Sequence, residues 1–183
     1  MLYKHNTMNL KYYYSTIALT TTLLLNLLII DTSAQTNTPV SYPKITGYVG
    51  ILHPIVGFDS NGTHANFKDS YTVGMPTGIN IWKSAAVGFS MEMVPFVRAE
   101  NGTSKMNNFL FHPGILLALG KGFTFAGRAA FETSGRYGIT PVLNKVLIKN
   151  ATTSYFAAIP LPLRFGNDKP TSFTIGFQFG IAF

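Results

Sequence analysis

The sequence predicts an all-β protein, an eight-stranded antiparallel up-and-down transmembrane β-barrel preceded by a cleavable signal peptide. Three observations predict it. An apolar segment follows lysines near the start, apolar and polar residues then alternate along many short runs, and the links between runs are short and long in turn. Successive side chains of a strand point to opposite faces. Because lipid and lumen lie on opposite sides of a barrel wall, this alternation is typical of a membrane barrel.

Residues 1–34 have the pattern of an export signal. Lys4 and Lys11 precede the largely apolar run 16–30, and the small residues 32–34 (Thr-Ser-Ala) suit cleavage. The apolar run is shorter than the roughly 20 residues that a spanning helix needs. The pattern therefore favours a removed signal peptide over a retained helical anchor.

The remainder divides into a flexible periplasmic leader, 35–43, and one barrel domain, 44–183. Only 11% of all residues are charged and 14% are aromatic, a composition that fits a membrane barrel. No segment after the export signal is apolar over the roughly 18 residues that a spanning helix requires. A chain that enters lipid in this way must close its sheet, because open edges leave backbone groups unpaired.

The formal net charge of +7 is distributed along the chain and does not form a basic stripe. This scatter argues against nucleic acid as a partner and favours contact with outer-membrane lipid and lipopolysaccharide. There is no cysteine, so the fold uses neither disulfides nor thiolate ligands, and a lipidated cysteine is excluded.

The strands are predicted from runs in which apolar residues hold the odd positions. The run 172–183 is the clearest, with Phe or Ile at every odd position and small or polar residues between them. Seven strands are clear, and an eighth, 136–148, is added because single-chain bacterial barrels have an even number of strands. The predicted strands are 45–58, 71–82, 86–99, 108–119, 123–133, 136–148, 154–165 and 172–183. Short periplasmic turns are expected at 83–85, 120–122 and 150–153, and outer loops at 59–70, 100–107 and 166–171.

The candidate site is a set of charged residues at even positions, which the alternation places inside the barrel. Buried charges need partners. We therefore expect salt bridges that fill an eight-stranded interior, in preference to a polar conduit or ligand site. The predicted lumenal charge network consists of Glu92, Arg98, Arg128, Glu132 and Arg164.

Catalytic and metal sites are less well supported by the sequence. His53 and His112 each precede a proline, but no third ligand accompanies them, so neither a metal nor another cofactor is predicted. A hydrolase needs a nucleophile beside a base, and no serine lies within two positions of either histidine. The expectation is that the protein is not an enzyme.

The segments IPLPLRFGND (159–168) and GFQFGIAF (176–183) resemble the closing hairpin of outer-membrane β-barrel domains of the Bacteroidetes type. In its general plan the chain is similar to small eight-stranded barrels such as the OmpA transmembrane domain and OmpX. The resemblance implies a bacterial outer-membrane location and a role for the terminal aromatic, Phe183, as an assembly signal read by the barrel assembly machinery. No periplasmic domain follows, so binding to peptidoglycan is not implied.

Four functions remain open at this point. The leading expectation is a non-enzymatic barrel with a structural or surface-interaction role. A narrow channel or transporter for a small or hydrophobic solute predicts an unfilled cavity around Glu92, Arg128 and Arg164. Lipid-modifying catalysis predicts a nucleophile–histidine pair at the membrane face. A soluble secreted ligand-binding barrel predicts that the odd-position apolar residues face inward.

Aromatic residues near strand ends are expected to form girdles at the membrane interfaces; they are Tyr48, Tyr71, Trp82, Tyr137 and Tyr155.

Overall fold

The structure, a computed structural model, describes residues 41–68 and 70–183. The predicted signal peptide, 1–34, and the first part of the predicted leader, 35–40, lie outside the described residues. All regular secondary structure within the described part is β-strand. No helix there has the length and hydropathy needed to cross a membrane.

Eleven strands follow one another between residues 44 and 182. They are β1 Lys44–Asp59, β2 Gly62–Ala65, β3 Tyr71–Gly74, β4 Thr77–Trp82, β5 Val87–Glu100, β6 Thr103–Gly120, β7 Phe123–Glu132, β8 Tyr137–Lys149, β9 Ser154–Pro160, β10 Leu163–Phe165 and β11 Ser172–Ala182.

The strands form a closed antiparallel ring. From β5 to β9 each strand pairs with the next in the chain, β11 pairs with β9 and β10, and β11 returns to pair with β1. The seam between β1 and β11 runs from Tyr48 opposite Ala182 to Phe58 opposite Phe173. The all-β antiparallel class is confirmed, and the ring has eight strand positions.

Two of the eight positions are each divided between two strands, and proline is the reason. Pro76 separates β3 from β4, and Pro162 separates β9 from β10. Proline has no N–H for the ladder, so pairing is interrupted where it stands. The predicted strands 71–82 and 154–165 are therefore single positions in the ring but four separate strands.

Two predicted outer loops are wrong in part. β2 lies within the predicted loop 59–70 and makes a hairpin with the end of β1. β6 begins at Thr103, so most of the predicted loop 100–107 is strand and the connection narrows to a turn at Asn101 and Gly102. In both places the backbone continues the ladder beyond the end of the alternating apolar pattern, which was the only signal for a strand.

The odd-position apolar residues face away from the ring. They remain solvent-accessible to a large extent, for example 58% for Ile115, 54% for Phe131 and 48% for Phe179. The soluble ligand-binding alternative required these side chains to face inward, and the structure does not bear out that orientation.

The interior is filled by two apolar layers with a polar layer between them. The layer nearer the long hairpins consists of Leu52, Val94, Leu110 and Ala130, with Phe96 packed against them. The layer nearer the short turns consists of Leu116, Ala126, Val142 and Ala158, with Trp82 packed against them. Glu92 and Arg128 of the candidate site lie between these layers, and Glu132 lies opposite Leu110 of the layer nearer the long hairpins.

Candidate functional site

Glu92 of β5 is the centre of the polar layer. Its Oε1 accepts a hydrogen bond from Arg128 Nη1 at 3.0 Å and lies 2.9 Å from His112 Nδ1, and its Oε2 accepts from the Tyr48 hydroxyl at 2.9 Å. All four side chains are buried. The carboxylate is thus fully enclosed by partners from three other strands, as a buried charge requires.

Glycine makes room for this cluster on two neighbouring strands. Gly78 lies opposite Glu92, and a Cβ there would stand 2.5 Å from the Tyr48 hydroxyl. Gly114 lies opposite Arg128, and a Cβ there would stand 2.5 Å from Cγ of that arginine. The side chain of Tyr48 therefore occupies the space over Gly78, and the side chain of Arg128 occupies the space over Gly114.

A second ion pair lies toward the end of the ring that carries the long hairpins. Arg164 Nε donates to Glu132 Oε1 at 2.7 Å, and Glu132 Oε2 accepts from Asn108 Nδ2 at 2.6 Å. Arg164 Nη1 also donates to Thr140 Oγ1 at 3.0 Å, and that oxygen lies 2.8 Å from His112 Nε2. The two ion pairs are thereby joined into one hydrogen-bonded network.

Four of the five charges predicted to form the lumenal network, Glu92, Arg128, Glu132 and Arg164, belong to this network. Arg98 does not, and its predicted place is wrong. Its Nε donates instead to Glu100 Oε2 at 3.0 Å, in a pair whose side chains are 37% and 45% exposed. Arg98 lies four residues beyond Val94 of the nearer apolar layer and two residues before the end of β5 at Glu100, so it is at the rim of the ring and not among the interior charges.

The predicted site lacked the network members His112, Tyr48, Thr140 and Asn108. His112 lies directly opposite Glu92 in the ladder, which only the register between β5 and β6 shows. Tyr48 was expected in an interfacial girdle, but it is 3% exposed and points inward. Its even position was a signal for the interior. Trp82, also expected in a girdle, packs against the apolar layer nearer the short turns instead.

Thr140, His112 and Glu92 have the order of a nucleophile, a base and an orienting carboxylate. Arg164 Nη1 donates to the Thr140 oxygen, which also lies 2.8 Å from His112 Nε2. The threonine is, however, 1% exposed and the histidine 3% exposed. The hydroxyl oxygen is therefore buried among side chains of the interior.

The histidines do not come together. His53 Nδ1 lies 2.8 Å from the Tyr71 hydroxyl near the long hairpins, whereas His112 belongs to the central network. In the described part of the chain, no three His, Asp or Glu side chains are grouped so that they could hold a metal ion.

A groove of about 470 Å³ opens at the long-hairpin end, between the segment after β2 and the β5–β6 hairpin. One side carries Phe67 stacked on Tyr71, with ring centroids 5.5 Å apart, and Phe67 is 61% exposed. The other side carries polar residues of the hairpin, among them Asn101 and Thr103. The groove therefore combines an exposed aromatic surface with hydrogen-bonding groups.

Comparisons with known proteins do not identify a family. No protein-family model matches the chain, and no curated protein matches it. Two solved structures have a related backbone. One, "De novo design of transmembrane beta-barrels", has a TM-score of 0.41 and 12% identity and covers 75% of this chain and 93% of its own. The other, "Solution NMR structure of de novo designed TMB2.3", has a TM-score of 0.39 and 11% identity, with coverage of 76% and 91%. At these values the likeness carries no argument about function, and the fold rests on the strand pairings described above.

Proposed function

We propose that the protein is a non-enzymatic β-barrel of the bacterial outer membrane with a structural or surface-interaction role. The observation that carries the proposal is the combination of an apolar outer face with a filled, ion-paired interior. A soluble protein rarely exposes so continuous an apolar surface. Lipid around the ring removes that surface from water, and the charges inside need no solvent because they pair with one another.

The interior supports a structural role over a conducting one. A channel or transporter predicted an unfilled cavity around Glu92, Arg128 and Arg164, but these charges pair with neighbouring side chains. The apolar layers above and below the polar layer add two barriers to the passage of a solute.

A narrow channel remains the second candidate because of two buried polar atoms. Arg128 Nε and Asn80 Oδ1 have no hydrogen-bond partner in the structure. Buried polar groups are normally paired, and water molecules in the ring would supply the missing partners. A hydrated path is what a channel function would need.

Catalysis is not proposed, because Thr140 is only 1% exposed. For the surface-interaction role we propose the groove between the segment after β2 and the β5–β6 hairpin, where Phe67 and Tyr71 offer an aromatic surface.

The first test of the proposal is electrophoretic mobility in detergent, with boiled and unboiled samples of the membrane fraction compared. A folded membrane barrel resists unfolding by the detergent until it is heated, so the unboiled chain should migrate faster. A chain that is recovered in the soluble fraction and shows no shift would contradict the membrane proposal.

Phe183 supports a second test, of the proposed assembly signal. Its backbone exchanges two hydrogen bonds with Gly47, at 2.8 and 2.9 Å, while its side chain is 61% exposed on the outer face. Phe183→Ala keeps the backbone pairing, so refolding in detergent should equal that of the wild type. If the aromatic ring is read during assembly, the amount of folded protein in cell membranes should fall. Equal amounts of both proteins in membranes would contradict the assembly role.

A further inference from the structure

Among the described residues, lysine is the only type of charged side chain at the short-turn end of the ring. This end comprises the start of β1, the three short turns and the adjoining strand ends; Lys44 at the start of β1 lies opposite Trp82, which immediately precedes the first turn. The segments 41–46, 83–86, 119–123, 144–155 and 180–183 contain no aspartate and no glutamate. Their lysines, which we call the short-turn lysines, are Lys44, Lys83, Lys121, Lys145 and Lys149.

These lysines have no anionic side chain beside them. None of the ion pairs formed between described residues includes a lysine. Lys44, Lys83, Lys121 and Lys149 are exposed. The main-chain carboxylate of Phe183 is at the same end, so it offsets part of the positive charge but does not balance it.

Lys145 is the buried member of this set. It is 5% exposed, its Nζ lies 4.3 Å from the centroid of Phe123, and it donates to the Lys121 carbonyl at 2.6 Å. Its ammonium group is thus held by the protein itself, whereas those of the four exposed lysines are accessible.

The opposite end has a mixed charge. Asp59, Glu100 and Asp168 lie there together with Lys68, Lys105 and Lys169, and Arg98 and Arg136 are at the same end. The two ends therefore differ in that carboxylate side chains accompany the cations at the long-hairpin end and not, among the described residues, at the short-turn end.

We infer that the four exposed short-turn lysines, Lys44, Lys83, Lys121 and Lys149, bind anionic phospholipid headgroups of the phosphatidylglycerol type, in the leaflet that faces the short turns. This inference rests on the proposed membrane function and adds a lipid partner to it. Each lysine near an anionic surface contributes about fivefold to the affinity, and the contributions are reduced by salt. Exposed ammonium groups around a closed ring match a layer of phosphodiester groups in charge and in shape.

The test measures which lipid the folded protein retains. The full chain is folded in zwitterionic detergent that contains equal amounts of phosphatidylglycerol and phosphatidylcholine with the same acyl chains. After the protein is purified again, the retained lipids are quantified by mass spectrometry. The wild type should retain several-fold more phosphatidylglycerol than phosphatidylcholine.

Two triple variants with the same change in net charge separate the short-turn end from total charge. K83Q/K121Q/K149Q alters exposed short-turn lysines, whereas K68Q/K105Q/K169Q alters exposed lysines of the opposite end. The first variant should lose most of the preference for phosphatidylglycerol, and the second should keep it. Equal loss in both variants, or no loss in the first, would overturn the inference.

A salt control and a folding control accompany the lipid measurement. The wild type in about 0.5 M salt should lose its preference without any mutation, since the Debye length falls to a few ångströms; a preference that persists there would also overturn the inference. Heat-dependent migration is recorded for every sample. A folded barrel without lipid preference contradicts only the lipid inference, whereas a chain that never shows the shift contradicts the proposed function.

Discussion

Glu92 receives hydrogen bonds from side chains on β1, β6 and β7, so one carboxylate joins strands that are far apart in sequence. Its removal would leave the Arg128 guanidinium buried without its counter-charge. A buried ion pair adds little to the net stability of the fold. Removal of one partner is nevertheless strongly destabilising, because the other charge is then left unpaired in a medium of low dielectric constant.

The variant Glu92→Gln keeps the volume of the side chain and removes its charge. We expect the free energy of unfolding to fall by about 3–5 kcal/mol. The measurement is guanidinium unfolding in lipid vesicles, followed by the fluorescence of Trp82, the single tryptophan of the chain. Glu100→Gln is the matched control, since that carboxylate is in an exposed pair with Arg98 and should matter little. Wild-type stability in the Glu92 variant would show that the ion pair does not organise the interior.

Gly114 is a second position at which a small substitution, the addition of one methyl group, should lower the stability of the protein. A Cβ there would meet Arg128 Cγ at 2.5 Å and the Gly127 carbonyl oxygen at 2.6 Å. Gly114→Ala should therefore lower the free energy of unfolding by about 1–3 kcal/mol, as overpacking does in a filled interior.

Gly127→Ala is the control for that variant. It lies on the next strand, and its added methyl group would have only Phe125 Cε1 near it, at 3.6 Å. The same unfolding measurement should find it close to the wild type. Equal effects of the two alanines would mean that loss of glycine, and not contact with Arg128, causes the change.

At the scale of elements, prolines and short hairpins modify a regular ring. Pro76 and Pro162 interrupt strands without displacing them, because neighbouring N–H groups keep the pairing: Met75 N donates to the Pro95 oxygen at 3.0 Å and Leu161 N to the Pro141 oxygen at 2.9 Å. The ring therefore tolerates proline where the lost donor is flanked by intact pairs.

The β1–β2 hairpin contains the carboxylate of Asp59, and we expect the protonation of this group to determine the stability of the hairpin. The backbone N–H of Asn61 donates a 2.7 Å hydrogen bond to Asp59 Oδ1, and His64 Nε2 lies 3.1 Å from the same oxygen. These two contacts hold the pKa of Asp59 below its usual range. A carboxyl group with a lowered pKa in the folded state stabilises that state above the pKa of the unfolded chain. The stabilisation is lost as the pH falls through the lowered value.

We therefore expect the hairpin to open on acidification while the ring persists. Hydrogen exchange of the Gly62–Ala65 amides should accelerate, beyond the intrinsic effect of pH, once the carboxyl group is protonated. Asp59→Asn should show no such additional dependence, because amide groups do not titrate in this range. A wild-type hairpin with the same profile as the asparagine variant would rule out this role for Asp59.

At the scale of the whole molecule, the stacking of layers decides whether ions pass. An ion that entered from the long-hairpin end would meet Leu52, Val94 and Leu110 beside the Glu132–Arg164 pair, then the Glu92 cluster, then Leu116 and Val142. The apolar side chains have no groups to replace the hydration shell of the ion, and the charged ones are already paired.

The wild type inserted in planar lipid bilayers should therefore show no steady ion current. Stepwise conductance from folded, heat-modifiable protein would instead support the channel candidate, with water at Arg128 Nε and Asn80 Oδ1 as part of the path. The medium without protein, and a bilayer that contains unfolded chain, are the controls for leakage.

The alternation along each strand determined the class of the fold and the direction of most side chains. Period-two patterning follows from the geometry of a strand and needs no knowledge of its neighbours. Glu92, Arg128 and Arg164 could be placed in the interior for this reason, and Phe179 and Ile115 on the outer face. The same rule put Arg98 and Glu100 on one face, but it could not show that both lie at the end of β5, where their pair is exposed.

Which charges meet could be decided only by the tertiary structure. Contacts between Glu92, His112 and Tyr48 depend on the register of three strands, and register is set by turns, bulges and packing over the whole ring. β2 and the start of β6 were likewise missed, because polar strands carry no apolar alternation and are formed by pairing with their partners. The sequence by itself determined the faces of the strands, since each face follows from local backbone geometry; the pairing of the interior groups was decided only by how the ring closes.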